Sequence, residues 1–248
     1  MDFKNANELL TLCEEQNISI SEVMRNREII TGECPAKEAD QKMARVLEIM
    51  KEAARSPIEK PIRSMGGLIG GEAQKLAQHS ASGQGLCGEL LEKAITYAMA
   101  TLETNASMGL IVASPTAGSA GIVPGLLLAF QEVYHFSDKE IQQVLFNAGA
   151  VGYLAMRNAT VAGAVGGCQA EVGVASAMAA SAAVELMGGT PKQCLDAAST
   201  VLMNMLGLGY KLYCAKKTGK QGKVITLCSF SHFLLRLNWQ NNSPGKSP

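Results

Sequence analysis

The chain has 248 residues, long enough to bury one substantial core, and with 47% apolar but only 5% aromatic side chains that core must be filled by Ala, Leu, Val, Ile and Met. This mix favours helices packed through small side chains and argues against a β-sandwich. The formal net charge is zero but unevenly spread: residues 1–196 hold 15 basic against 22 acidic side chains, and the rest hold seven basic and none acidic. The seven cysteines, an odd number at irregular spacing, do not read as a disulfide framework. The polar opening Met1-Asp2-Phe3-Lys4-Asn5 lacks an apolar signal region, so a cytoplasmic protein is expected.

Taken in order, the first sixty residues predict short helices. One covers Asn5 to Glu15, and Ser19-Ile20-Ser21-Glu22 supplies the start of a second. A third runs from Ala36 to Arg55, with Met43, Val46, Leu47 and Met50 on one face and Ser56-Pro57 and Lys60-Pro61 ending it. Glycine-rich turns at 65–71 and 82–85 then precede helices over Glu72–His79 and Glu89–Leu102. The stretch from Ala106 to Phe130 is uncharged for 25 residues. Its prolines, serines and glycines would leave backbone groups unpaired in lipid, so it reads as a buried loop and a helix to Tyr134, with no membrane partner. Ser137-Asp138 starts a helix through Leu154. Ala170 to Met187 is Ala-rich and stops at Gly188-Gly189. Thr190-Pro191 opens a last helix to about Leu206. With no alternating strand of five or more residues, the expected class is all-α. Three parts are expected: a helical segment over 1–60, a helical domain over 61–208 and a basic tail over 209–248.

Two segments carry chemistry. Ser114-Pro115-Thr116-Ala117-Gly118-Ser119-Ala120-Gly121 offers hydroxyl donors at 114, 116 and 119. Its glycines let the backbone turn N–H groups inward, and a helix start follows, which together suit a small anion such as a carboxylate. The plainer reading is a loop that merely lets two helices approach. In the second segment, Gly166-Gly167-Cys168-Gln169-Ala170-Glu171, a cysteine stands at the mouth of the Ala-rich helix. A helix N-terminus lowers a thiol pKa, which suits a thiolate nucleophile or metal ligand. The plainer reading there is a small residue where helices meet.

These segments, with Gly66-Gly67-Leu68-Ile69-Gly70-Gly71-Glu72 and Asn105-Ala106-Ser107-Met108-Gly109, resemble the alpha subunit of iron–sulfur L-serine dehydratases in order and spacing. The resemblance implies a [4Fe–4S] cluster held by three cysteines, with one open iron taking the hydroxyl of L-serine and acting as a Lewis acid. Loss of the α-proton and of hydroxide then gives pyruvate and ammonia. It also implies a separate serine dehydratase beta subunit. Cys168 matches the first cluster ligand, and Ser114, Thr116, Gly118 and Ser119 are the candidate substrate-binding residues. The base is unassigned among His79, Lys75 and Glu171. The Cys168 sulfur is expected to face a cavity shared with the 114–121 loop.

After Leu208 the chain departs from the family. Tyr210 stands at the place of the second ligand and Gln221 at that of the third, while Cys214-Ala215-Lys216-Lys217 resembles the surroundings of the last one, making Cys214 a second candidate ligand. The change coincides with the shift in charge and with Trp239, as a disrupted C-terminus or a basic extension would give. A catalytically inactive helical subunit is the alternative function. The tail mixes its lysines with Ile225, Leu227, Phe230, Phe233 and Leu234, so no nucleic-acid partner is expected.

Overall fold

The computed structural model describes residues 2–83 and 85–205, and among these the chain forms ten α-helices and no strand, an all-α architecture. In chain order they are α1 (Ala6–Gln16), α2 (Ile20–Thr31), α3 (Ala36–Glu59), α4 (Glu72–Ala81), α5 (Glu89–Ala106), α6 (Ile122–Tyr134), α7 (Asp138–Asn158), α8 (Gly163–Gly166), α9 (Cys168–Leu186) and α10 (Pro191–Met205). No described helix is long and apolar enough to cross a membrane. Local chemistry accounts for several of the starts. Ser19 and Ser137 each accept from the backbone N–H three residues on, and Glu22 and Glu140 return the bond, so α2 and α7 begin with complete capping boxes.

At the centre lies α9, packed against α6, α7 and α10. Its buried residues include Ala170, Val174, Ala175 and the unbroken run Ala177 to Val184, so it is covered on every side, as a uniformly apolar helix must be. Its alanines let the neighbours come close. One cluster of buried side chains joins Leu47 and Met50 of α3, Tyr97 of α5, Leu127 and Leu128 of α6, Ile141 and Val144 of α7, and Val174 and Met178 of α9. A second sets Phe3, Leu9, Cys13, Ile20 and Val23 against Phe146, Ala150, Val184 and Cys194. The apolar faces of α1 and α2 are therefore buried on α7, α9 and α10.

One helix end differs from expectation. Pro57 does not stop α3; it lies inside the last turn, and the helix continues to Glu59. Proline deprives the carbonyl four residues back of its donor. Here that carbonyl belongs to Ala53, and the Thr104 hydroxyl of α5 donates to it at 2.8 Å. A neighbouring helix thus replaces the missing bond. His135 follows α6 as its left-handed C-cap, at φ 58°.

Between α5 and α6 the contact is close because glycines face alanines. A Cβ on Gly121 would stand 2.5 Å from the Ala98 carbonyl oxygen, and one on Gly125 would stand 2.9 Å from that of Ala94. At one flank of this pair, Glu132 of α6 bonds Arg55 of α3 at 3.0 Å and Lys93 of α5 at 3.1 Å.

Candidate functional site

The 114–121 loop crosses the end of α5 and enters α6. Asn105 near the end of α5 pins it, donating its side-chain N–H to the Ala117 carbonyl at 3.0 Å. The Ser114 N–H donates to the Thr116 carbonyl at 3.3 Å. Ser119 is 1% exposed, and its hydroxyl donates to the Ser114 carbonyl at 3.3 Å, with the Thr116 hydroxyl 3.2 Å away. Ser114 is 5% exposed, and its hydroxyl has no hydrogen-bond partner among the described residues. A buried hydroxyl without a partner is costly, so a ligand group that bonds it would be favoured there. Gly121 caps α6 with no side-chain hydrogen bond.

The glycines serve the plainer of the two purposes the sequence suggested, which is close approach. Neither Gly118 nor Gly121 adopts a positive φ. What they provide is space: Gly121 for the Ala98 carbonyl, and Gly118 for Glu171, whose Oε1 would lie 2.6 Å from an added Cβ. Gly167 is the residue that needs left-handed backbone, at φ 79°, and it turns the chain directly into Cys168.

Cys168 is the first residue of α9 and is exposed. One turn further on, the Glu171 carboxylate accepts from the Thr116 hydroxyl. On its other side, Glu171 Oε2 would stand 2.6 Å from a Cβ on Gly163, the first residue of α8. The carboxylate therefore sits in a slot between Gly118 and Gly163, joining the loop to the helix that carries the cysteine. Thr116 and Glu171 are half-buried, and Gly118 is exposed.

Of the three candidate bases, Glu171 alone touches the loop. Lys75 and His79 lie exposed on α4, and neither bonds any residue of the 114–121 loop. Reading the sequence missed the Thr116–Glu171 tie and the part played by Gly163. The signal available was that Glu171 falls three residues after Cys168, on the same side of a helix.

Whether the residues fit an iron–sulfur cluster turns on the thiols. Among the described residues Cys13, Cys34, Cys87, Cys168 and Cys194 are all free. Cys13 and Cys194 are buried in the second core cluster, and burial, with the nearby Glu185 carboxylate, pushes each thiol up to about 12. Cys34 follows α2 beside Lys42. Cys87 precedes α5, at the end opposite Asn105 and about 25 Å from it along the helix at 1.5 Å per residue. Only Cys168 adjoins the loop, and no three His, Cys, Asp or Glu side chains gather to hold a metal among the described residues. Cys214, Tyr210 and Gln221 lie outside the described residues. The described donor set therefore does not fit a cluster held by three thiolates.

The sequence profile of the serine dehydratase alpha chain family matches residues 15–214. The chain is 45% identical over 206 residues to the probable L-serine dehydratase, alpha chain, of Bacillus subtilis, covering 83% of this chain and 68% of that one. It is 40% identical over 203 residues to the L-serine dehydratase, alpha chain, of Peptoniphilus asaccharolyticus, with 82% and 70% covered. A Helicobacter pylori L-serine dehydratase is 35% identical over 215 residues, 84% of this chain but 46% of that one. The chain belongs to the serine dehydratase alpha chain family.

Proposed function

We propose that this chain is an L-serine ammonia-lyase alpha subunit, deaminating L-serine to pyruvate and ammonia together with a beta subunit. The observation that supports this reading best is the buried Ser114 hydroxyl, without a partner, in a loop tied through Thr116 and Glu171 to the helix headed by Cys168. In this reading the Ser114 hydroxyl and the start of α6 receive the substrate carboxylate, Thr116 and Ser119 shape the loop through their bonds to Glu171 and the Ser114 carbonyl, and Gly118 keeps the loop close to α9. Burial of Ser114 and Ser119 strengthens such bonds by keeping water away.

The iron–sulfur dependence of the reading comes from the family, with Cys168 as the first cluster ligand and Cys214 as a second. A further reading has an observation of its own. With one thiol beside the loop among the described residues, the chain is a helical subunit that folds but no longer holds a cluster. Anaerobic reconstitution of the full chain with a matching beta subunit separates the two. Bound iron together with pyruvate from L-serine, both lost in Cys168→Ser, supports the lyase. A folded chain without iron or pyruvate, made active by grafting the family's sequence after Leu208, supports the inactive subunit.

A further inference from the structure

We propose that Glu171 is the counter-ion for the α-ammonium group of the amino-acid substrate, and so sets the site's preference for a zwitterion over a simple hydroxy acid. The inference rests on the serine-binding reading of the loop and adds to it the group that meets the substrate's cationic end.

Three observations carry it. First, the Glu171 carboxylate lies against the loop that holds the anion-binding Ser114 hydroxyl, since the Thr116 hydroxyl donates to its Oε1. Second, glycines leave room for it on two sides, since a Cβ on Gly118 would stand 2.6 Å from Oε1 and one on Gly163 2.6 Å from Oε2. Third, among the described residues no Lys, Arg or His pairs with it. A half-buried carboxylate met by one hydroxyl has acceptor capacity left over. A free carboxylate next to an anion cradle would repel a simple anion. For a zwitterion the same placement is favourable, because the carboxylate and ammonium groups of an α-amino acid are attached to one carbon and meet opposite partners. The bond from ammonium to carboxylate is charge-assisted and partly shielded from water.

The roles stay distinct. The Ser114 hydroxyl, without a partner among the described residues, and the backbone N–H groups at the start of α6 bind the carboxylate end common to serine and its deaminated analogue. Glu171 binds the end that only serine has. Thr116 touches both sides, donating to Glu171 and bordering the Ser119 hydroxyl, so it fixes the spacing between the two halves of the site.

The test is equilibrium dialysis of the full chain against L-serine and against 3-hydroxypropanoate, which keeps the carboxylate and hydroxyl but lacks the ammonium. Wild type should prefer L-serine by about tenfold or more, the range expected for a charged hydrogen bond. Glu171→Gln retains an acceptor for Thr116 and removes the charge. It should lower L-serine affinity by about tenfold while leaving 3-hydroxypropanoate unchanged or tighter. Glu171→Asp keeps the charge one methylene further back and should fall between the two. Equal losses for both ligands in Glu171→Gln would mean that Glu171 only holds the loop, and would overturn the proposal. So would an unchanged preference. Wild type that binds neither ligand would instead overturn the serine-binding reading itself. Circular dichroism of each variant, matched to wild type, separates these outcomes from misfolding.

Discussion

Two helix starts, those of α9 and α10, each bring a cysteine near a helix N-terminus, and the structure treats them in opposite ways. Cys168 is the first residue of α9, exposed, preceded by a left-handed glycine and with no side-chain cap. Cys194 sits one turn into α10 and is 0% exposed in the cluster that α1 and α2 close. Burial, then the charge of Glu185, pushes its thiol up to about 12, against a smaller opposing effect of the Asn147 side chain. The lesson is that a helix dipole activates a thiol only where water or a ligand can reach it. At α10 desolvation wins, and the cysteine is a packing residue.

The largest expected effect would break that contrast directly. Treated with an alkylating reagent and mapped by peptide mass, Cys168 should label at least about 100-fold faster than Cys13 or Cys194, because the thiolate falls tenfold for each unit of pKa and burial denies access as well. Cys13 and Cys194 should react only once the chain unfolds. Equal rates in the native protein would mean that the α1–α2 cover opens readily.

Packing should divide in the same way. Leu128→Ala removes a side chain that is 0% exposed in the larger core and should cost about 2–5 kcal/mol in urea unfolding. Cys168→Ser, at an exposed position, should change stability by less than about 0.5 kcal/mol. A comparable loss in both would show that the α9 start is part of the core, contrary to its exposure.

Much of the fold was legible because its signals are local. Ser19 with Glu22 announces a helix start that the structure realises as a capping box, and the spacing Met43, Val46, Leu47, Met50 marks a face that packs inward. Pro57 misled, because the donor that lets α3 continue is Thr104, 47 residues later and invisible to any window around the proline. The site was legible in composition more than in mechanism. Ser114, Thr116, Ser119 and Cys168 could be named as a loop and a helix mouth, yet the sequence left open whether Gly118 and Gly121 gave backbone freedom or close approach, and the structure shows that they give space. That distinction depends on what lies opposite, and here Ala98 and Glu171 belong to other helices.

A smaller effect tests the Thr104 bond. Thr104→Val keeps the shape but leaves the Ala53 carbonyl without its donor, and should cost about 1–3 kcal/mol. Combining it with Pro57→Ala restores a backbone N–H to the same turn, so the double variant should lose less than Thr104→Val alone. Additive losses in the double-mutant cycle would show that the hydroxyl does not stand in for the missing helical bond.

The smallest effect concerns Glu132, whose partners come from two helices, in contrast to Glu171, which has no cation among the described residues. Burial alone would raise the Glu132 carboxyl, but bonds from Tyr97 and Lys93 and the charges of Lys93 and Arg55 outweigh it and hold the carboxyl below its usual range. The same neighbourhood raises Tyr97, through burial first and then through Glu132. Because the folded pKa is depressed, the stabilisation is present above the unfolded value of about 4.3 and is lost as pH falls through the folded one. Glu132→Gln should therefore be less stable than wild type at pH 7, and the gap should close as pH drops below about 4. Arg55 and Lys93 are 41% and 32% exposed in their side chains, so solvent screens the pairs and added salt should narrow the gap too. Urea unfolding of the two proteins at pH 7 and at acid pH measures this. A gap that stays constant through the acid range would assign the loss to packing or to the Tyr97 bond, and would remove charge from the account of how α3, α5 and α6 are held together.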